Sequence, residues 1–327
     1  MRTMTSPNHK KPVASWLDYD YCAEEHKALP SLTVILRTVG CYWRKCTMCG
    51  LWHESADVSQ ANILTQLEWS LQKSPDTEFI LKIFTSGSFL DEQEISRETR
   101  KAIAAMLKKR KKIKKLIVET RPEFVTPDRI MDLKVGEHLE IAIGLETADD
   151  FIRSTYINKG FSFNDYTAAA KVVAECDVTL KTYLLLKPPF ISEKRALEDV
   201  INSAKIVAPY SSTISLNLCN VQKHTPLEIL WKKRYYRPPW LWSAVEAIKQ
   251  MKKIDIIVMS DPVGAGHERG PHNCGKCDHT LKEVIKTFNI TQDLGILERF
   301  EELACECKEV WRALLTFDNA LFGSEIV

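Results

Sequence analysis

Cys41, Cys46 and Cys49 stand in a C-x4-C-x2-C pattern. Three thiolates supplied by so short a segment can hold iron or zinc. A [4Fe–4S] cluster accepts three thiolates and leaves its fourth iron open to another ligand. Tetrahedral zinc would want a fourth donor, for which His53 is a candidate. Three unrelated buried cysteines are the plainer alternative. Seven of the ten cysteines fall in three tight groups: this one, Cys274 with Cys277, and Cys305 with Cys307. In a reducing compartment such grouping argues for metal ligation more than for disulfides.

His267, His272, Cys274, Cys277, Cys305 and Cys307 form a second constellation. Cys274-Gly275-Lys276-Cys277 is a knuckle whose glycine permits a tight turn. Paired with Cys305 and Cys307 it could complete a four-cysteine site for a second metal, zinc by the donor set; an auxiliary iron–sulfur cluster or no metal are the alternatives. One geometric condition applies. Phe300, Leu303, Ala304, Cys307, Val310, Trp311, Leu314 and Leu315 share one face of a predicted long C-terminal helix. Residues two apart on a helix point about 200° apart. Cys305 and Cys307 can share an ion only if that helix is interrupted or begins after them.

Elements must carry these groups to one place. Residues 33–36 are a short β-type run just before Cys41. Strand and helix signals then alternate, with strands at 79–84, 116–118, 139–143, 178–186 and 213–218. Helical faces lie at Ile63, Leu64, Leu67 and Leu71, and at Ile103, Met106 and Leu107. Thr126 and Pro127 mark a helix start, and 192–206 reads as a helix. A further strand is expected near 254–258. Strands separated by helices predict parallel βα units, which right-handed crossovers curl into an open barrel or a twisted sheet. The organisation expected is a polar leader at 1–29, an α/β core at 30–220 and a C-terminal region at 221–327.

A cysteine loop after the first strand, with polar segments ending the next ones, resembles the radical S-adenosylmethionine superfamily. That resemblance implies a partial (βα)6 TIM-like barrel, a [4Fe–4S] cluster on Cys41, Cys46 and Cys49, and S-adenosylmethionine on the open iron. The commonest spacing in that family has one residue fewer between the first two cysteines. Thr85-Ser86-Gly87-Ser88-Phe89 occupies the place of its Gly-Gly-Glu-like segment, without the glutamate, so backbone carbonyls and Ser88 would serve the cofactor's amino group. Glu119-Thr120-Arg121-Pro122 resembles the E-x-R-P segment whose acid contacts ribose. Gly144-Leu145-Glu146-Thr147 resembles a G-x-E/Q-S/T segment, and Lys159-Gly160 its downstream turn. The cofactor contacts implied are Ser86, Gly87, Ser88, Glu119 and Glu146. Lys181 could reach the carboxylate, although a strand lysine is more often solvated. Asn217, Asn220 and Gln222 lie where the family contacts adenine. No residue stands out for handling protons.

Two basic runs bear on the substrate. Residues 108–115 hold seven lysines and arginines, and 232–237 mixes cations with tyrosines. Cations for phosphates and rings for unstacked bases suit RNA, whereas a solvated helix end explains the first run equally well. Adding Gly270-Pro271-His272-Asn273-Cys274-Gly275 to the motifs above, the ensemble resembles the archaeal archaeosine synthase radical subunits. That implies cleavage of the C–N bond of a lysine-modified 7-deazaguanine at position 15 of tRNA, with tRNA, a lysine-transferring archaeosine synthase subunit and a reductant protein as partners. A methylthiotransferase- or elongator-acetyltransferase-like enzyme, or a non-catalytic zinc/RNA-binding protein, are the other readings. The 327 residues, 45% hydrophobic and 27% charged with a net charge of +2, are ordinary for a globular protein. No apolar run approaches the roughly 20 residues of a membrane span, and the N-terminal residues lack an apolar signal core, so a cytoplasmic location without membrane contact is expected.

Overall fold

The computed structural model describes residues 9–299 and 305–317. Its centre is one eight-stranded sheet in the order β1 to β8: β1 (Ala14–Cys22), β2 (Lys27–Ile35), β3 (Phe79–Phe84), β4 (Ile113–Thr120), β5 (His138–Glu146), β6 (Thr179–Leu186), β7 (Thr213–Leu218) and β8 (Ile257–Met259). From β2 to β8 every neighbouring pair is parallel. Helices α1 (Gln60–Leu71), α2 (Arg97–Lys108), α3 (Pro127–Met131), α4 (Phe163–Glu175), α5 (Glu193–Val207), α6 (Pro226–Lys232) and α7 (Leu241–Lys252) fill the crossovers, and α8 (Asp278–Thr291), α9 (Leu294–Arg299) and α10 (Cys307–Phe317) follow. The sheet is a curled, open half barrel with the expected six parallel βα strands at its centre.

Local chemistry starts the helices where the fold needs them. Ser59, Ser96, Ser162, Ser192 and Thr225 accept backbone N–H bonds as N-caps of α1, α2, α4, α5 and α6, each a stabilisation of about 1 kcal/mol. The two faces of each strand separate two cores. Leu81, Ile83, Leu116, Val118, Ile141 and Ile143 pack outward against the helices. Leu29, Ile80, Ile117 and Ala142, with Phe84 and Tyr183, form a small inner cluster.

The leader expected at residues 1–29 is corrected where the structure describes it. Residues 14–22 form β1, paired antiparallel with β2 over nine residues. Its apolar residues do not follow a strict alternation, since Trp16, Leu17 and Tyr19 are exposed beside Asp18, so no strand pattern marks it. It also supplies charge to the barrel interior. Asp20 pairs with Lys82 of β3. Lys115 lies 2.9 Å from Glu24 and 3.0 Å from Glu140, and Lys181 lies 3.4 Å from Glu140. Three acids face three lysines, so the buried layer is electrically balanced.

Candidate functional site

The segment between β2 and α1 holds Cys41, Cys46 and Cys49 and is fastened to the C-terminal ends of several strands, where barrel enzymes place their chemistry. Cys41 N donates to Ser86 O (3.2 Å), Thr47 N to Ile157 O (2.9 Å), and Leu227 N to Thr47 O (3.1 Å). Trp43 Nε1 donates to Asn158 O (2.6 Å) and Gly50 N to Gln222 Oε1 (2.5 Å). The ends of β3, β5 and β7 therefore hold one loop at three points. All three cysteines are partly exposed.

The donor set fits a cluster better than a single ion. Four thiolates on one zinc stand about 3.8 Å apart, given a metal–sulfur distance of about 2.3 Å. The loop sulfurs do not gather within 4.8 Å of one another, and His53 stacks on Trp52 instead of joining them. A four-iron cluster binds each thiolate at a different iron and needs the wider spread. Burial pushes the Cys46 thiol up to about 11, so metal must displace its proton on binding.

Several expected residues converge beneath this loop. A Cβ on Gly87 would fall 2.6 Å from Cys41 N and 2.0 Å from Glu94 Oε1, so only glycine lets the turn after β3 lie this close. The Ser88 hydroxyl accepts from Arg121 N at 3.1 Å. Glu119 shares a hydrogen bond with Tyr183; burial raises its carboxyl above the usual range, against the opposing pull of Tyr183, Lys159 and Lys181. Glu146, at a left-handed φ of 70°, ends β5 and meets Lys159 Nζ at 2.6 Å. Burial would lower that ammonium, but Glu146 and the Cys46 thiol hold it above its ordinary value. Asn217 sits half-buried on β7. Asn220 is boxed in by Gly264 and Gly270, while Gln222 serves the cysteine loop.

Lys181 is placed differently. It is the third residue of β6 and is neither solvated nor beside the cysteine loop; it belongs to the layer with Glu140 nearer the strands' N-terminal ends. The first basic run exposes residues 108–112 ahead of β4, at the end of the barrel opposite the cysteines. In the second, Tyr235 is exposed, but Tyr236 is buried and donates to Lys187 O at 2.7 Å. Arg237 is absorbed by the carbonyls of His272 and Asn273.

The residue that sequence reasoning missed is Glu94. It is 1% exposed. Its two oxygens accept from Ser88 N (2.5 Å) and Thr38 Oγ1 (2.6 Å), joining the turn after β3 to the start of the cysteine loop. In the sequence it closes the acidic run Asp91-Glu92-Gln93-Glu94, which reads as solvated. Burial raises it from 4.5 to about 7. The unfolded protein loses this proton near 4.5, the folded protein near 7. Stability therefore falls as pH rises between those values, and the loss is complete above them. Glu94→Gln keeps both contacts once the Thr38 hydroxyl turns to accept. It is expected to exceed the parent's stability at pH 8 by on the order of 3 kcal/mol, with little difference at pH 4.5. Urea unfolding at both pH values checks this, and parallel pH profiles for the two proteins would contradict it.

The C-terminal cysteines gather closely. Cys274 and Cys305 sulfurs are 3.6 Å apart, Cys277 and Cys307 3.6 Å, and Cys305 and Cys307 3.3 Å. Helix α10 begins at Cys307, so Cys305 precedes it and the condition for sharing an ion is met. Phe300, Leu303 and Ala304 lie outside the described residues. His267 and His272 take no part in the cluster; His272 Nδ1 meets Gly270 O at 2.8 Å.

No protein-family model matches the sequence. Archaeosine synthase subunit beta of Methanosarcina acetivorans is 43% identical over all of this chain and 96% of its own length. The protein of the same name from Thermococcus kodakarensis is 39% identical over 91% of this chain and 94% of its own length. Among solved structures, the Elp3 protein of Methanocaldococcus infernus superposes with a TM-score of 0.50 at 17% identity, covering 71% of this chain and 58% of that one, a likeness of fold. With that identity and coverage, the chain belongs to the archaeosine synthase subunit beta family.

Proposed function

We infer that this protein is a radical C–N lyase acting on tRNA. It would cleave the C–N bond of a lysine carried by a 7-deazaguanine at position 15, leaving the formamidine of archaeosine. The observation that carries this reading is the three-cysteine loop fastened across the strand ends, with Gly87 beneath Cys41 and the Glu146–Lys159 pair beside Cys46. Cys41, Cys46 and Cys49 would hold the [4Fe–4S] cluster, and Ser86, Gly87, Ser88, Glu119, Glu146 and Asn217 would surround S-adenosylmethionine. When bound, that pair supplies an adenosyl radical able to take a hydrogen atom from the carbon next to the scissile nitrogen.

The protein's own work is positioning and charge balance. Gly87 lets the turn after β3 pack directly against Cys41, where any Cβ would collide with Cys41 and Glu94. Glu119 offers a buried carboxyl, held above its usual range by desolvation, to a sugar hydroxyl. Lys159 sets a positive charge beside the loop sulfurs, offsetting the thiolates a cluster requires. Exposed Phe151, Phe190 and Tyr235 follow β5, β6 and α6 and give unstacked bases rings to lie on. The name subunit beta supports a partner subunit, which in this reading is the lysine-transferring one, and the chemistry needs a reductant protein. No helix among the described residues is long and apolar enough to cross a membrane. In domain terms, residues 30–220 would bear the radical chemistry and 221–327 the tRNA contacts and second metal. Incubation of the reduced, cluster-loaded protein with S-adenosylmethionine and lysine-bearing tRNA, followed by mass analysis of the nucleosides, tests the reading: the lysine adduct should give way to archaeosine.

A further inference from the structure

We propose that Cys274, Cys277, Cys305 and Cys307 bind one zinc ion, and that this ion is a staple holding a strap of backbone across the end of β7. The sulfur separations of 3.3 to 3.6 Å are close to the edge of a tetrahedron around zinc, about 3.8 Å. All four sulfurs lie within 4.8 Å of one another, too close for a four-iron cluster, which binds each thiolate at a separate iron. Four sulfur donors close the coordination shell, the arrangement of a structural and not a catalytic ion.

The surroundings suit an anionic tetrathiolate. Leu241, Asp278 and Cys307 are the first residues of α7, α8 and α10, so three helix N-termini meet here with their partial positive charge. Asn273 Nδ2 donates to Cys277 Sγ at 3.2 Å and Trp242 Nε1 to Cys307 Sγ at 3.3 Å, the outer bonds that steady metal-bound sulfur. Gly275 turns the knuckle at a φ of 88°. Asp278 braces it by accepting from Asn273 N and Gly275 N, both at 2.7 Å.

The knuckle is tied to the barrel. Leu241 N donates to Asn273 Oδ1 at 2.8 Å, and Arg237 donates to His272 O and Asn273 O. Upstream, residues 262–273 run back across the end of β7. Arg269 O accepts from Val221 N at 2.7 Å, and Gly264 and Gly270 close on Asn220. Gln222, the next residue after Val221, holds Gly50 of the cysteine loop. Zinc therefore fixes the strap, and the strap fixes the stretch that meets the cysteine loop.

The test is metal analysis of the full-length protein purified without oxygen, together with cobalt(II) titration of chelator-stripped protein. The expected result is about one zinc per molecule and visible ligand-field bands of tetrahedral thiolate cobalt. Cys277→Ser should lose both, and Cys46→Ala should keep both while losing iron, so the zinc and radical assignments fail separately. Cobalt titration of the unmutated protein decides the matter if Cys277→Ser does not fold. Absence of zinc together with no cobalt bands, Cys274–Cys305 or Cys277–Cys307 disulfides in protein never exposed to oxygen, or iron retained at the C-terminal site in Cys46→Ala would each overturn the proposal.

Discussion

Cys46→Ala is expected to abolish both iron loading and reductive cleavage of S-adenosylmethionine while leaving the fold intact. The parent, reconstituted without oxygen, should carry about four iron per molecule. With two thiolates left, the cluster loses a corner and no neighbouring group replaces it, since His53 is stacked on Trp52 and Lys159 is a cation held by Glu146. The Cys46 side group itself contributes little to the core, being partly exposed at the margin of a small cluster. Thermal unfolding of the metal-free proteins should therefore differ by little, about 1 kcal/mol or less. Iron analysis and product chromatography for 5′-deoxyadenosine check the claim. Full iron with unchanged cleavage would remove these cysteines from the chemistry.

Gly160→Ala should be nearly as damaging through geometry alone. Gly160 has a φ of 78°, and a Cβ there would lie 2.4 Å from the Trp43 ring. The left-handed conformation costs an L-residue roughly 1–2 kcal/mol. The ring cannot retreat cheaply, because its Nε1 donates to Asn158 O and the Lys45 ammonium lies 4.8 Å from its centre. Trp43 stands between Cys41 and Cys46, so moving it moves the ligands. A displacement of about 1 Å in a positioned group can cost on the order of a hundredfold in rate. A fall of that size in S-adenosylmethionine cleavage, with reduced iron occupancy, is the expected outcome. An Ala variant with parental iron and rate would show that the loop does not depend on this contact.

The parts of the site that were legible in the sequence rest on local signals. Cysteine spacing, the βα alternation and the polar segments after strands located Cys41, Gly87, Glu119 and Glu146 at one end of the sheet. What escaped depended on tertiary context. β1 leaves Trp16, Leu17 and Tyr19 exposed on an edge and so lacks a strict apolar alternation. Glu94 is hidden in an acidic run, although its carboxyl is buried and joins two loops. Lys181 reads as a solvated strand lysine because nothing local announces Glu140 on the neighbouring strand β5. The apolar stripe predicted one helix through Cys305 and Cys307, whereas α10 begins at Cys307 and frees Cys305 for the sulfur cluster. The first basic run has the composition of an RNA contact, but the direction of β4 puts it at the far end from the cysteines.

The most direct test follows hydrogen from tRNA to the cofactor. Lysine deuterated on its ε-carbon would be installed on the deazaguanine of tRNA, and the tRNA treated with this protein, S-adenosylmethionine and reductant. Mass spectrometry should find archaeosine in the tRNA and deuterium in 5′-deoxyadenosine, in matching amounts. Intact lysine-bearing tRNA and unlabelled 5′-deoxyadenosine, from protein with a full cluster, would contradict C–N lyase chemistry on this substrate.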